Sequence, residues 1–250
     1  MVKNSTPYLD DKARAELIEI IINRGDNSPG DWKELCALAV DELGYKGGPG
    51  AVLPLVEILE THPLPSVRKG AADAIWDCQA FHGDDPSIRT ALEAAMPRAG
   101  AVLTAEPPLD QSIAQTLVCV LGSMANSSTA ADIVNYLVKA PIGLCVDDAV
   151  ARAFVKITEV LALPAQDKVL DKMWDHLDVL QVGFKTRHVL ERATLPFCSE
   201  FILDELPKNI RAAQGAIVQR SQQFRAAASP TPGNRATGAG NRTPPPRATV

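Results

Sequence analysis

One short phrase occurs twice in this chain, as Pro65-Ser66-Val67-Arg68 and again as Pro86-Ser87-Ile88-Arg89. Each copy opens an alanine-rich stretch of helical spacing: Gly70-Ala71-Ala72-Asp73-Ala74-Ile75 after the first, Ala91-Leu92-Glu93-Ala94-Ala95-Met96 after the second. Proline suits the first helical position, because its missing N–H would have no intrahelical partner there. Alanines on the inner side then let neighbouring helices approach closely. The pattern predicts stacked helix pairs, with Arg68 and Arg89 as structural positions before functional ones.

Read for a 3.6-residue period, the rest of the chain gives helix after helix and almost nothing that alternates like a strand. Residues 10–24 carry Leu17, Ile18, Ile20, Ile21 and Ile22, with Gly25 as a stop. Asp31 is expected to cap a helix through Trp32, Leu35, Cys36, Leu38, Ala39 and Leu43 that ends at Gly44. A loop at 45–50 leads to a short helix at 51–61 with Leu53, Leu55, Val56 and Leu59 inward. The helix at 66–81 should bury Val67, Ala71, Ala74, Ile75 and Cys78 on one side. Further helices are expected at 86–103, 110–125, 129–139, 146–163, 166–181, 185–194 and 208–227. Asp110, Ser128, Asp147 and Asp167 are the expected caps or first-turn acids.

Asp85-Pro86-Ser87-Ile88-Arg89 and Pro65-Ser66-Val67-Arg68, with Ala71, Ala72 and Ala74-Ile75, resemble the entry to a repeat helix in the HEAT-repeat (armadillo-like) family of α-solenoids. Leu64 stands in the first copy where the family usually has Asp. Ile113–Leu117 and Val150–Phe154 keep the apolar spacing without the Val-Arg pair, so the close resemblance covers roughly residues 50–100. The copies lie 21 residues apart, which fits the opening of successive helices in adjoining pairs. The resemblance implies an all-α, right-handed superhelix over residues 8–227. Residues 228–250, rich in Ala, Ser, Thr, Pro, Gly, Asn and Arg, are expected to be a disordered tail, since they offer too little apolar surface to offset the entropy of ordering.

The formal charge of −5 hides an asymmetry. From Pro207 onward there are seven basic residues and no acid, leaving 18 basic against 30 acidic residues before it. Arg211, Arg220 and Arg225 are expected to form a positive, protein-binding side of the last helix, continued by Arg235, Arg242 and Arg247. Nucleic acid is a possible but disfavoured partner for this basic end, because no aromatic residue follows Phe224 to stack on bases. No stretch approaches the roughly 18 apolar residues of a membrane span, and the N-terminus lacks the apolar core of a secretory signal. Cys36, Cys78, Cys119, Cys145 and Cys198 are scattered through apolar segments and read as buried thiols of a reducing, cytoplasmic compartment.

Chemistry-bearing constellations are sparse. The run Gly44–Gly50 lacks the spacing of a phosphate-binding loop and the strand that should precede one. Cys78 and His82, with Asp84 or Asp85, have metal-ligand spacing, but His82 falls at a helix end and Asp85 is a cap. Asp175-His176 with Asp178, and His188 with Glu191, read as polar helix sides. The HEAT enzymes that hold iron use His-Glu dipeptides, and this chain has none. HEAT-like DNA glycosylases set an Asp beside Trp and Arg, roles that Trp76-Asp77 or Trp174-Asp175 with Arg68 or Arg187 would have to fill; the acidic balance of residues 1–206 weighs against DNA. The expectation is therefore a non-catalytic scaffold or adaptor that binds another protein without cofactor or metal, with a HEAT-like DNA glycosylase or DNA-binding protein as the alternative.

Overall fold

Both prolines of the repeated phrase stand at the start of a helix, Pro65 opening Pro65–His82 and Pro86 opening Pro86–Leu103. The structure, a computed structural model, describes residues 8–23, 32–162, 167–191 and 198–228; the side chains of 23, 32–33, 185–191, 198–202 and 227–228 fall outside that description. The described residues form ten helices and no strand: α1 (Asp11–Asn23), α2 (Trp32–Lys46), α3 (Pro49–Thr61), α4 (Pro65–His82), α5 (Pro86–Leu103), α6 (Gln111–Met124), α7 (Ala130–Leu137), α8 (Leu144–Val160), α9 (Asp167–Glu191) and α10 (Cys198–Ala228). The proposed tail beyond residue 228 lies outside them.

The phrase does the same local work in both copies. Val67 and Ile88 are buried beneath the first turn of each helix. The arginine reaches back to the end of the preceding helix: Arg68 Nε donates to the Leu59 carbonyl at 2.7 Å, and Arg89 Nη2 to the Gly83 carbonyl at 3.3 Å. The last carbonyls of a helix have no intrahelical donor, and a nearby cation also favours the negative end of the helix dipole. Asp85 adds a cap in the second copy by accepting from the Ser87 N–H at 2.8 Å. Leu64 makes no such bond. Asp110 caps α6 the same way, accepting from the Ser112 N–H at 2.8 Å.

Contacts between helices follow one rule. Among the described residues each helix touches only the two before it and the two after it. Even-numbered helices form one row (α2 on α4, α4 on α6, α6 on α8, α8 on α10) and odd-numbered helices form the other. This is a serial, two-row stack of helix pairs, in which contacts stay local along the chain. Small residues set the spacing within a row. A Cβ at Gly44 would stand 2.9 Å from the Ala74 Cα, and one at Gly122 would stand 2.6 Å from the Ala153 Cβ. Between the rows runs one apolar core, including Leu43, Leu55, Ile75, Ile88, Leu117 and Phe154. The buried positions of α4 are the expected Val67, Ala71, Ala74, Ile75 and Cys78, joined by Ala72.

Several local expectations are corrected. Gly44 does not end α2, which runs two residues further; its missing side chain makes room for Ala74 instead. Leu53 points out to solvent rather than inward, and in α3 Val52 and Ile58 are buried in its place; Leu38 and Ile22 are exposed as well. Ser128 is not the cap of α7; Asn126 Oδ1 accepts the Ser128 and Thr129 N–H groups at that turn. Asp31 lies outside the described residues. The two helices expected at 166–181 and 185–194 are one helix, α9, which continues through Gly183 as Leu180 is buried and Phe184 packs on the core. Helix α10 begins ten residues early and passes through Pro207. Proline inside a helix costs about 3 kcal/mol, and burial of Leu203, Leu206 and Ile210 on either side offsets it at roughly 1.5–3 kcal/mol each.

Two glycines in the even row test this packing. Gly122→Ala should cost about 1–3 kcal/mol, because Ala153 has no flexible end to move aside. Gly215→Ala meets nothing within 4 Å and should instead gain up to about 1 kcal/mol from helix propensity. Urea unfolding of the two variants should therefore shift the midpoint in opposite directions; a shift of the same sign in both would contradict the close approach of α6 and α8.

Candidate functional site

Two rows of side chains meet on the solvent side of α2 and α4. Leu38, Asp41 and Tyr45 are spaced i, i+3, i+7 on α2, and Asp73, Asp77 and Phe81 are spaced i, i+4, i+8 on α4, so each set shares one side of its helix. Tyr45 and Phe81 join the rows, their rings tilted at 46° with centroids 5.2 Å apart. Although they touch, both remain open to solvent: Phe81 is 61% exposed and Tyr45 46%, with Leu38 at 64%.

The carboxylates of this surface crowd one another. Partial burial raises the Asp77 carboxyl above its ordinary value, and the charges of Asp73 and Asp41 raise it further. Asp73 has local compensation, from Lys69 Nζ at 2.5 Å and from the Thr116 hydroxyl at 3.2 Å. The surface thus combines exposed aromatic and aliphatic groups with a cluster of carboxylates.

Phe81 also forms one edge of a cleft of about 480 Å³, between the α4–α5 turn and the C-terminal end of α6. Its polar walls are paired across the stack. Ser123 Oγ donates to the Gln79 side-chain carbonyl, and Asn126 Nδ2 donates to Glu93 Oε1 at 2.9 Å. Gln79 is an amide and no base, so it orients the Ser123 hydroxyl without activating it. Chemically these groups can recognise a polar chain. The N-terminal segment closes on the same edge, where the Tyr8 hydroxyl donates to Asp85 Oδ2 at 2.8 Å. Burial, with the Asp85 hydrogen bond and charge, pushes the Tyr8 phenol up to about 12. Asp85 is held down to about 2 by hydrogen bonds from the Ser87 hydroxyl, the Ser87 N–H and Tyr8.

The remaining candidates go to separate places. Cys78 Sγ donates to the Gly44 carbonyl at 3.2 Å, and burial with the nearby Asp77 charge pushes this thiol up to about 12. His82 Nε2 donates to the Tyr45 carbonyl at 2.7 Å. Cys78 and His82 thus serve two different carbonyls, both at the end of α2. Among the described residues no three His, Cys, Asp or Glu side chains are grouped to hold a metal ion. Trp76 is half-buried, and Arg68, its proposed partner, is engaged with Leu59. Asp175 is exposed, His176 lies edge-on to Phe154 at 6.0 Å with its pKa lowered by burial, and Asp178 accepts from Gln214 at 3.1 Å. The side chains of Arg187, His188 and Glu191 lie outside the described residues, as do Cys198, Arg235, Arg242 and Arg247. The four cysteines that are described keep their thiols, but only Cys36 and Cys78 are buried as expected; Cys119 and Cys145 are partly exposed.

Arg211, Arg220 and Arg225 do not form one positive side. Arg211 and Arg225 are exposed, whereas Arg220 turns in toward α8, donating from Nη2 to the Leu161 carbonyl at 2.6 Å and lying 5.3 Å from the centre of the Phe224 ring. Nine residues separate Arg211 from Arg220, which is two and a half turns, so they fall on opposite sides of the helix. No described helix is long and apolar enough to cross a membrane. No family model, curated protein or solved structure matches this chain.

The low pKa of Asp85 carries a pH dependence of known sign. A carboxylate depressed by folding adds stability above its ordinary pKa of 3.8 and loses it as pH falls through about 2. Thermal unfolding followed between pH 4 and pH 2 should therefore fall more steeply for the wild type than for Asp85→Ala. Parallel curves would show that this carboxylate does not anchor the Tyr8 and Ser87 contacts.

Proposed function

We propose that this chain is a non-catalytic scaffold or adaptor, a HEAT-like stack that binds another protein through the solvent side of α2 and α4. One observation carries the reading: the exposed Tyr45–Phe81 pair, with exposed Leu38 two turns earlier on α2 and Asp41, Asp73 and Asp77 clustered on the same two helices. Tyrosine and phenylalanine are enriched in the buried cores of protein interfaces, where a few aromatic anchors provide much of the affinity. Rigid rings also lose little conformational freedom on binding. The clustered carboxylates favour a partner with basic residues beside an apolar anchor, and they speed its encounter.

The partner's chain also has polar groups to meet in the adjoining cleft, where Arg89, Glu93 and Asn126 lie next to Phe81. Thiols at Cys36, Cys78, Cys119 and Cys145 accord with work in the cytoplasm. A DNA glycosylase is less well supported at Asp77, where the neighbouring groups are carboxylates and a phosphate backbone needs cations.

Affinity capture from the native host, with the full chain as bait, tests the proposal. A reproducible protein partner should be retained by the wild type and bound about tenfold more weakly, or worse, by Tyr45→Ser/Phe81→Ser. The melting temperature of that variant should stay near the wild-type value, because both rings are exposed. Equal retention by the two baits, or no partner with either, would overturn the proposal.

A further inference from the structure

The last helix pair, α9 and α10, carries a groove lined by residues of these two helices. Earlier pairs are each followed by another, α5 lying on α3 and α6 on α4. Among the described residues no helix follows α10, and a groove of about 330 Å³ runs between α9 and α10. Its apolar floor is Leu170 and Trp174 from α9 with Ile217 and Val218 from α10. Val218 is 44% exposed and Trp174 half-buried, so both keep surface that an occupant can cover. Asp167 and Asp171 line the groove, and Asp175 continues their row one turn on. All three are exposed. Arg225, at the end nearest Ala228, is the basic group of the lining.

We infer that this groove is the docking site for the chain's own Pro244-Pro245-Pro246-Arg247 segment. Three consecutive prolines favour the extended polyproline II conformation, which has little conformational entropy to lose on binding and packs well against aromatic walls. Trp174 supplies the aromatic wall. Arg247 directly follows the prolines, and Asp171 and Asp175 supply the carboxylates that a guanidinium pairs with. Charge complementarity extends beyond this pair, since residues 229–250 contain three arginines and no acid.

Chain length fits as well. The groove residues of α10 lie between Ile217 and Arg225, so its far end is about 17 Å back along the helix from Ala228 at 1.5 Å per residue. The 15 residues 229–243 have a root-mean-square span of about 21 Å as a flexible chain, and can extend to about 50 Å. A tether whose typical span matches the distance to its site gives a high effective concentration, so weak contacts suffice. The docking is intramolecular, and it occupies a surface separate from the Tyr45–Phe81 pair.

Nuclear magnetic resonance on the full chain tests this. The Arg247 and Ala248 amides should show order parameters well above the value of about 0.6 that marks a flexible segment in the wild type, and below it in Arg247→Glu and in Asp171→Arg. The charge swap Asp171→Arg/Arg247→Glu should recover the ordered values, which a merely structural effect of Asp171→Arg would not do. Amide shifts of 167–175 and 217–225 should change with Arg247→Glu and be independent of protein concentration. Equal mobility of residue 248 in wild type and Arg247→Glu would overturn the inference. So would ordering that appears only as concentration rises, which would mean docking between two copies.

Discussion

Contact between successive helices of the even row, α2 on α4, α4 on α6, α6 on α8 and α8 on α10, holds this molecule together. Those contacts are close because glycine and alanine occupy the points of nearest approach: Gly44 on Ala74 for α2 and α4, Gly122 on Ala153 for α6 and α8. Polar contacts add to this at the helix ends, between consecutive helices as well as second neighbours. Arg68, Arg89 and Arg220 each donate to a carbonyl at the C-terminal end of another helix, and His62 does the same for α1 by bonding the Ile21 carbonyl at 3.2 Å. His62 Nδ1 accepts the Leu64 N–H, so the proton lies on Nε2, the nitrogen that faces Ile21. A helix end inside a stack exposes carbonyls that water cannot fully reach, and these donors satisfy them.

The fold was legible where local chemistry alone decides it. Proline at the first helical position, Asp85 and Asp110 as caps, and the inner stripe of α4 all depend on residues within a few positions of each other. Reading failed where a distant neighbour decides. Gly44 looks like a helix stop until Ala74 is seen against it. Pro207 looks like a helix start until the burial of Leu203 and Leu206 ahead of it is known. Gly183 looks like a break for the same reason.

The candidate site was less legible, and the cause is the same. A leucine at Leu38 or a phenylalanine at Phe81 has the spacing of a buried residue as much as of an exposed one. Only the position of α2 beside α4 decides that they and Tyr45 point to solvent together. The i, i+3, i+7 and i, i+4, i+8 rows were present in the sequence, but which side of each helix they mark depends on the stack. Charge misled in the other direction. Arg220 counts as one of seven basic residues in the C-terminal part, yet its guanidinium is directed at the end of α8.

A stack with only local contacts has an open surface along its whole length, which is the physical basis for reading the chain as a binding module. It also has a characteristic stability, since each pair depends on its neighbours and end pairs have fewer of them. Native-state hydrogen exchange on the full chain measures this most directly. Exchange should be slowest in α4, α6 and α8, with opening free energies that fall stepwise toward α1 and α2 at one end and α9 at the other. Uniform protection across all the described helices, lost in one step with denaturant, would contradict it, because it would mean a single cooperative core.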